Sequence, residues 1–339
     1  MHMLRPNPKP IRRHAVSPGC FGFRTGFPLC DSYLGIQVTP ITPCIVRADY
    51  DRESVGMKLP VTVIILTYNE ATNIAQCLSA VRDFSEVVVV DSGSMDQTVD
   101  IISREFPDVT VLTNAFLDFG QQRNWALDNT GSQNDWVLFV DADEFLEQPL
   151  VDEIAEFVRS PGPYVGGYIA GRNYFMGRWL KRTSFFPSYQ LRLLKRGEVR
   201  YRKEGHGQRE VTNGELKYLR NTWRHEAFSQ GIYQWIKKHN DYSSNEIELI
   251  VRLRSEKISL RKLFFGDAVS KRREMKKLLN RLPGRPLLRF IHSYVLKFGF
   301  LDGYAGWIYS LLRFSHDCHI VAKVYEYEYQ QKKKKSELN

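Results

Sequence analysis

The segment Asp135–Glu147 reads DWVLFVDADEFLE and decides how the chain is interpreted. Its residues Trp136–Val140 are apolar without a break, which is typical of a strand that is covered on both faces. Three acids follow at once, Asp141, Asp143 and Glu144. Because like charges repel one another, a buried strand that runs into this cluster is costly unless something positive lies beside it.

Apolar runs and helical patterns alternate along this part of the chain. Strands are predicted at 61–66, 86–90, 109–112 and 136–140, and helices at 71–82, 96–106 and 119–129. Strand–helix alternation with short links predicts an α/β fold with a mostly parallel sheet and helices on both of its faces. Ligands of such sheets bind beyond the carboxyl ends of the strands. The candidate site therefore consists of the residues that follow Leu66, Val90 and Val140.

The remaining residues fall into regions of different pattern. Antiparallel strands are predicted at 166–175, 189–197 and 198–205, basic helices at 229–280, and an aromatic-rich helical region at 286–330. The proline-rich start lacks any persistent period, so we expect either a disordered arm or a segment that precedes the true initiator, Met57. The predicted regions are an N-terminal extension at 1–56, an α/β domain at 57–228, a basic and aromatic helical region at 229–330, and a disordered tail at 331–339.

The composition limits the classes of partner and the compartment. The chain has 339 residues and a formal net charge of +10, which favours anionic partners such as phosphates, nucleotides, acidic lipid or nucleic acid. Its five cysteines include no CxxC pair, which disfavours a zinc site, and their odd number argues against a disulfide scaffold, so we expect a reducing cytoplasm. We find no signal peptide and no apolar run long enough to span a membrane.

The acids after the fourth strand suit a divalent cation. Asp141 and Asp143 are two residues apart in what we expect to be an extended loop, so both carboxylates can point at one place. Hard oxygen donors suit Mn²⁺ or Mg²⁺, and such a site is completed by water and by substrate phosphates. A sugar nucleotide supplies those phosphates, and the metal would act as a Lewis acid on the leaving diphosphate.

Three strand-end motifs carry a resemblance to a known family. VIILTYNE, VVVVDSGSMDQT and VLFVDADE, in this order within residues 59–160, resemble the motifs of family 2 glycosyltransferases, which have the GT-A fold. YQLRLLKRG, EGHGQRE, KKHNDYSS and GFLDGYAGWIYSLLR extend the resemblance to about residue 325. They are similar to the subgroup of bacterial lipopolysaccharide-core β-1,4-glucosyltransferases and related exopolysaccharide enzymes.

The resemblance implies roles for individual residues. Base and ribose contacts of the donor are implied for the first two strand ends, and Arg123 would face the base or the diphosphate. Asp143 would be the principal metal ligand, and His206 or His225 could add a metal ligand or a diphosphate contact. The implied donor-binding residues are Thr67, Tyr68, Asn69, Glu70, Asp91, Ser92, Arg123 and Asp141. The implied metal ligands are Asp141, Asp143 and His206.

The sequence departs from the family pattern in two places. Val90 precedes Asp91 where the family has a second acid, and Gly207 follows His206 where the subgroup often has glutamate. The second change removes one candidate for the general base, the carboxylate that takes the proton of the acceptor hydroxyl in an inverting transfer. The candidates that remain are Glu204, Glu210 and Glu144.

The resemblance implies transfer of a hexose such as glucose. The donor would be a nucleoside-diphosphate sugar, preferably UDP-linked, and the acceptor a lipopolysaccharide core, an exopolysaccharide or another glycan.

Other functions fit the sequence less well. A sugar nucleotidyltransferase would carry a glycine-rich loop after its first strand, and a dinucleotide-dependent oxidoreductase would carry GxGxxG, but TYNEATNI has no glycine. A nucleic-acid or membrane binder without catalysis would account for the positive charge but leaves the acid cluster unexplained. We therefore expect no nucleic-acid partner.

A basic stretch suggests where the protein is located. Thirteen lysines and arginines lie within residues 251–290, and an aromatic-rich segment follows. This pattern predicts peripheral contact with the anionic inner face of the cytoplasmic membrane through residues 251–313, with Lys271, Arg272 and Arg273 contributing to the attraction. Alternatively, the basic stretch is a solvated helix face and the aromatic residues belong to the core.

Overall fold

The computed structural model describes residues 58–205, 207–282 and 284–337. The predicted N-terminal extension and the metal-ligand candidate His206 lie outside the described residues.

The first part of the described chain confirms the predicted alternation. It contains β1 (Leu59–Thr67), α1 (Ile74–Ala80), β2 (Phe84–Asp91), α2 (Thr98–Glu105), β3 (Thr110–Thr113), α3 (Phe119–Asn129) and β4 (Trp136–Asp141). The helix α1 begins later than predicted because the carbonyl of Glu70 accepts the N–H groups of Asn73 and Ile74, which closes a turn before the helix. That turn belongs to the candidate site.

The acids after β4 lie in a tight turn and not in the predicted extended loop. Ala142 and Asp143 form the turn, and the two-residue strand β5 (Glu144–Phe145) follows directly. The remaining elements of this region are α4 (Gln148–Arg159), β6 (Tyr164–Phe175), β7 (Arg178–Trp179), β8 (Tyr189–Lys195), β9 (Arg200–Glu204), β10 (Gly207–Val211) and β11 (Glu215–His225). A tight turn directs Asp141 and Asp143 to different partners.

The large sheet has the strand order β3-β2-β1-β4-β8-β6-β11-β5, with β7 paired to β6. The strands β3, β2, β1 and β4 are parallel, and β8 is antiparallel to both β4 and β6 as predicted. The strand β11 was not predicted, and it pairs in parallel with β6. In register, Thr67 is level with Asp91 and Leu66 with Asp141, so the strand-end residues meet at one edge.

Two apolar cores lie on the two faces of this sheet. Val63 and Ile65 of β1 pack in one core with Ile74 of α1 and Ile154 of α4, while Ile64 packs in the other core. The second core also contains Ala126 of α3 and Tyr201 of β9. Because both faces of β1 and β4 are covered, their sequences are continuous apolar runs and do not alternate with polar residues.

The C-terminal region is helical, as predicted. It contains α5 (Gly231–Asn245), α6 (Ile247–Ser255), α7 (Leu260–Phe265), α8 (Ala268–Arg281), α9 (Arg285–Phe290) and α10 (Gly303–Glu337). A π-helical segment (Ile291–Leu296) and a 3₁₀ turn (Gly299–Asp302) lie between α9 and α10. Residues 331–337 continue α10, so the predicted disordered tail is wrong for them. Lysine, glutamine and glutamate are good helix formers, and Lys333 pairs with Glu337 one turn away.

Among the described residues, no helix is both long enough and apolar enough to cross a membrane.

A pair of histidines joins α5 to α10. The ring of His239 stacks on Trp235 with 3.5 Å between ring centroids, and His316 Nδ1 lies 3.1 Å from the carbonyl oxygen of His239. Burial lowers the pKa of His239 to about 3 and the pKa of His316 to about 4. Both rings are therefore neutral in the folded protein at neutral pH.

These lowered pKa values predict a pH dependence of stability. Below the unfolded value of 6.5 the unfolded chain binds more protons than the folded one, so stability is complete above pH 6.5 and falls as the pH drops toward 4. We expect the free energy of unfolding to fall between pH 6.5 and 4.5 more steeply in the wild type than in His239→Gln/His316→Gln. The difference should be about 1 kcal/mol per pH unit, allowing for partial solvation of the rings. Urea denaturation at several pH values measures it, and parallel curves would contradict the assignment.

Candidate active site

The loops after β1 and β2 are bonded to each other. The N–H of Asn69 donates to Ser94 Oγ, and the N–H of Met95 donates to Asn69 Oδ1, both at 2.8 Å. The N–H of Glu70 donates to Thr98 Oγ1 at 2.8 Å. Asn69 has a φ of 54°, a left-handed conformation that asparagine tolerates better than most residues. The TYNE and DSGSMDQT motifs thus form one wall of the site.

Asp91 fixes the conformation of the loop that follows β2. Its carboxylate is buried and accepts the N–H groups of Gly93 and Ser94 at 2.9 and 2.8 Å, together with the Ser94 hydroxyl. At the neighbouring strand end, Thr67 Oγ1 is buried without a hydrogen-bond partner. Tyr68, in contrast, is half exposed at the mouth of the site.

Two buried arginines compensate the charge of Asp141. Arg123 of α3 donates to Asp141 Oδ1 at 3.0 Å, and Arg192 of β8 donates to Asp141 Oδ2 at 2.7 Å. Burial alone would raise the pKa of the Asp141 carboxyl, but these two guanidinium groups hold it well below its usual range. Arg123 in turn lies over the ring of Phe139 and donates to Gln208 of β10.

Glu144 belongs to the same buried network. It is 2% exposed, and it accepts from Arg192 at 2.6 Å and from the N–H of Asp141 at 3.0 Å. Burial raises the pKa of Glu144 to about 7 despite the nearby guanidinium. A carboxylate held in this way orients Arg192 and the turn after β4, and in this conformation it does not reach an acceptor at the surface.

Asp143 has a different partner, because the sheet bends back at this edge. The strand β5 pairs with the end of β11, which places His225 Nε2 3.3 Å from Asp143 Oδ2. His225 Nδ1 contacts Asn173 Oδ1 of β6 at 2.7 Å. Burial opposes the charged imidazole, but Asp143 outweighs it and raises the pKa of His225 to about 9. The pKa of Asp143 is lowered, since His225 outweighs its own burial.

A second acid and a lysine complete the mouth. Burial, together with the charge of Asp143, raises the pKa of Glu70 to about 7. Burial opposes the charge of Lys238 on α5, but Tyr242, Asp143 and Glu70 outweigh it and raise the pKa of this lysine. The Tyr242 hydroxyl is hydrogen-bonded to Lys238, one helical turn away. A cation from the C-terminal region therefore lies near the acids of the sheet.

The two remaining base candidates lie on the β9–β10 hairpin. Glu204 forms a two-point ion pair with Arg209, with contacts of 2.8 and 3.1 Å. Glu210 accepts a hydrogen bond from the Tyr168 hydroxyl. Gln208, on the same strand as Glu210, contacts Arg123, so the hairpin borders the acid cluster.

The sequence did not single out Arg192, Lys238 or Asn173. Arg192 stands alone among leucines in YQLRLLK, and a single charge in an otherwise apolar strand was the available signal. Lys238 lies in KKHNDYSS, which carried the resemblance but no assigned role. The structure places the described strand-end candidates and Glu144 at one edge of the sheet, whereas Glu204 and Glu210 lie on the β9–β10 hairpin.

A comparison with protein families agrees with this geometry. The model described as Glycosyl transferase family 2 matches residues 62–232, which is half of the chain. The chain belongs to glycosyltransferase family 2. Its mixed α/β sheet with flanking helices, followed by a helical region, is the GT-A fold that the strand-end motifs predicted.

Among curated relatives, this family 2 chain is 39% identical over 101 residues to the glycosyltransferase SunS of Bacillus phage SPbeta, a match that covers 29% of the chain and 24% of SunS. It is 27% identical over 147 residues to the lipopolysaccharide core biosynthesis glycosyltransferase LpsC of Rhizobium meliloti, covering 42% of the chain and 54% of LpsC. The chain thus matches between about a quarter and a half of the length of these relatives.

Among solved structures, the chain is similar to the mannosyltransferase PcManGT of Pyrobaculum calidifontis in complex with GDP-Man and Mn²⁺. The identity is 18%, the TM-score is 0.44, and the match covers 79% of this chain and 87% of that one. It is also similar to S. aureus TarS 1–349 in complex with UDP, with 16% identity, a TM-score of 0.37, and coverage of 81% of this chain and 92% of that one.

Proposed function

We propose that this chain transfers a hexose, with inversion, from a nucleoside-diphosphate donor to a glycan or glycolipid acceptor. The observation that supports this most strongly is the division of the acids at the sheet edge. Asp141 is neutralised by two buried arginines, whereas Asp143 pairs with His225, and the charge of Lys238 lies close enough to Asp143 and Glu70 to be coupled to them. A carboxylate that two guanidinium groups already neutralise serves to position the site, while Asp143, with a single imidazole partner among the described ion pairs, is the one suited to a ligand.

Donor binding is assigned to the wall that the first two loops form. Thr67 Oγ1, buried without a partner, is suited to a hydrogen bond with the nucleoside, and the half-exposed ring of Tyr68 is suited to stacking on the base. Ser92 and the loop that Asp91 shapes continue this wall. The Lys238 ammonium would contact the diphosphate, because it is a cation whose charge is coupled to Asp143 and Glu70.

The donor set at the mouth fits a divalent cation that the substrate holds in large part. Among the described residues, no group of three or more His, Cys, Asp and Glu side chains is arranged to hold a metal. Asp143 supplies an oxygen donor and His225, once its imidazole has lost its proton, a nitrogen donor, and Mn²⁺ or Mg²⁺ bound by few protein ligands is completed by phosphate oxygens and water. When bound, the ion would neutralise the negative charge that develops on the leaving diphosphate. Asp141 is assigned to the arginines and not to the metal.

The general base is assigned to Glu210, with Glu204 as the alternative. Tyr168, which donates to Glu210, begins a cluster of three tyrosines: its ring stacks on Tyr218 with 4.9 Å between centroids, and Tyr189 contacts Tyr218 edge-on at 4.8 Å. Tyr189 and Tyr218 are exposed, and exposed aromatic faces accept the apolar C–H faces of sugar rings. The acceptor would therefore approach from the side of the hairpin, where Glu210 can take its hydroxyl proton.

A thermal-melt screen tests the donor assignment. A nucleotide that binds only the folded state stabilises it by about 2.7 kcal/mol at a hundred times its dissociation constant. We expect UDP, GDP or dTDP with Mn²⁺ to raise the melting temperature, and the matching sugar nucleotide to release that nucleotide in the presence of an acceptor. Stabilisation by heparin, with none from any nucleotide, would favour the nucleic-acid-binding alternative.

The basic stretch itself gives that alternative little support. Lys277 pairs with Glu274 and Glu256, and Arg254 pairs with Glu328. Asp317, which is buried, pairs with Arg289 at 3.0 Å and with Arg285 at 3.8 Å. Several of the thirteen cations are therefore engaged within the helical region and are not free to contact phosphates.

A further inference from the structure

One surface of the protein exposes an unusual number of apolar side chains. It is formed by residues 176–187 and 284–304, which we call the docking surface. Large apolar side chains on it are each 38% or more exposed, although they occupy two short segments. Exposed apolar patches of this density mark interaction sites in soluble proteins. The exposed side chains are Met176, Phe185, Leu287, Leu288, Ile291, Val295, Leu296, Phe298, Phe300, Leu301 and Tyr304.

Backbone strain is concentrated on the same surface. Within the described residues, four non-glycine residues have positive φ, and three of them are Met176, Phe185 and Phe298, at 48°, 58° and 56°. Bulky side chains rarely adopt this conformation, and strain of this kind persists where the surrounding structure imposes it, often at functional sites. The three strained residues carry exposed apolar side chains.

The two segments are bound together by a buried acid. Asp302 accepts hydrogen bonds from the N–H groups of Arg182 and Thr183 at 2.9 and 2.8 Å, and from the Thr183 hydroxyl at 2.8 Å. The ring of Phe185 stacks on His292 with 5.8 Å between centroids. Asp302 is the one acid in either segment, and because it is buried its charge does not reach the outer face.

The charge on that outer face is positive. Four exposed cations lie within the same two segments, and no exposed acid accompanies them there: Arg178, Lys181, Arg182 and Lys297. Exposed apolar and aromatic side chains that are flanked by lysine and arginine match the headgroup region of an anionic bilayer.

We propose that the docking surface binds the interface of an anionic lipid bilayer, with its apolar side chains inserted among the headgroups. A second copy of the chain fits less well. A two-fold interface brings the same patch of both subunits together, and four cations per copy would then face one another. Anionic lipid neutralises them instead.

The docking surface is continuous with the candidate active site. The strand β6 carries Asn173, which contacts His225, and then runs directly into residues 176–187. The N–H of Leu180 donates back to the carbonyl of Asn173 at 2.9 Å. This continuity implies that the acceptor is a lipid-linked or membrane-embedded glycan, which is presented beside the mouth of the site while the enzyme lies on the bilayer. That part of the inference rests on the proposed function.

Cosedimentation of the full chain with vesicles tests the proposal. We expect it to sediment with vesicles of phosphatidylglycerol and phosphatidylcholine, and much less with phosphatidylcholine alone. High salt should release it only in part, because salt screens the charges but not apolar insertion. Leu296→Glu/Leu301→Glu should lower binding by at least about tenfold, because two charges would replace two inserted side chains. Tyr325→Glu/Tyr329→Glu, on an exposed part of α10, is the matched control and should bind as the wild type does.

Further measurements separate the other outcomes. Lys181→Glu/Arg182→Glu should weaken binding to the anionic vesicles and leave the apolar residues intact, which covers the case in which the leucine variant fails to fold. Light scattering that shows a dimer abolished by Leu296→Glu/Leu301→Glu, without vesicle binding, would overturn the proposal in favour of a second copy. Hydrolysis of the donor in solution is measured separately. A wild-type protein that hydrolyses the donor but does not bind the vesicles would contradict the proposed membrane contact and leave the proposed function standing. Intact vesicle binding without hydrolysis rejects the proposed function alone.

Discussion

Arg192→Met should destabilise the protein by about 3–5 kcal/mol, which is the range observed when one partner of a buried ion pair is removed. Arg192 is 2% exposed and bonds both Asp141 and Glu144. Methionine fills a similar volume but leaves Asp141 with Arg123 alone and Glu144 without a cation. Urea denaturation of both proteins, monitored by circular dichroism, measures the change in the free energy of unfolding.

A surface pair provides the control for this substitution. Arg104 pairs with Glu105 at 2.8 Å, but the two side chains are 67% and 44% exposed, so Arg104→Met should cost less than about 1 kcal/mol. Adding Glu144→Gln to Arg192→Met should recover part of the loss, because it removes the carboxylate that has lost its cation, while Asp141 keeps Arg123. A loss below about 1 kcal/mol for Arg192→Met would show that the network is solvated and does not hold the turn after β4.

The fold was predictable from the sequence where a local period encodes it. The apolar runs of β1, β2 and β4 and the spacing of three and four in α1 and α2 are properties of nearby residues, and each element was located to within about three residues. The register that aligns Asp91 and Asp141 follows from parallel pairing alone. The strand β11 was missed because ELKYLRNTWRH mixes charged and apolar residues without a sustained alternation.

The partners of the site residues were harder to predict from the sequence, because they come from distant parts of the chain. Arg192 lies 51 residues after Asp141 in the sequence, and His225 lies 82 residues after Asp143. Asp143 meets His225 only because the sheet bends back and β5 pairs with β11, a property of tertiary structure. The sequence required a positive charge beside the acids but could not choose between a metal ion and arginine side chains.

Replacing Asp143 and Asp141 in turn distinguishes a carboxylate that binds a metal ion from one that is paired with arginine side chains. Asp143→Asn should lower sugar transfer by about 10²–10³, since a metal contributes several kcal/mol of charge stabilisation and each 1.36 kcal/mol is tenfold in rate. Its stability should fall less than that of Asp141→Asn, because Asp143 pairs with His225 alone among the ion pairs of the described residues, whereas Asp141 pairs with two buried arginines. Release of the nucleotide from the sugar donor, measured with Mn²⁺ and again with EDTA, follows the activity.

Asp141→Asn is the matched comparison, two residues away. It should lower both activity and stability, because it leaves Arg123 and Arg192 buried with a neutral amide in place of the carboxylate that both contact. A wild-type rate in EDTA, or an Asp143→Asn enzyme that turns over as fast as the wild type, would show that Lys238 and His225 alone stabilise the leaving diphosphate. Equal losses of stability in the two variants would mean that the Asp143–His225 pair holds the turn after β4 as firmly as the pairs of Asp141 with Arg123 and Arg192 do. The expected result is that Asp141 maintains the shape of the strand end and Asp143 acts on the donor.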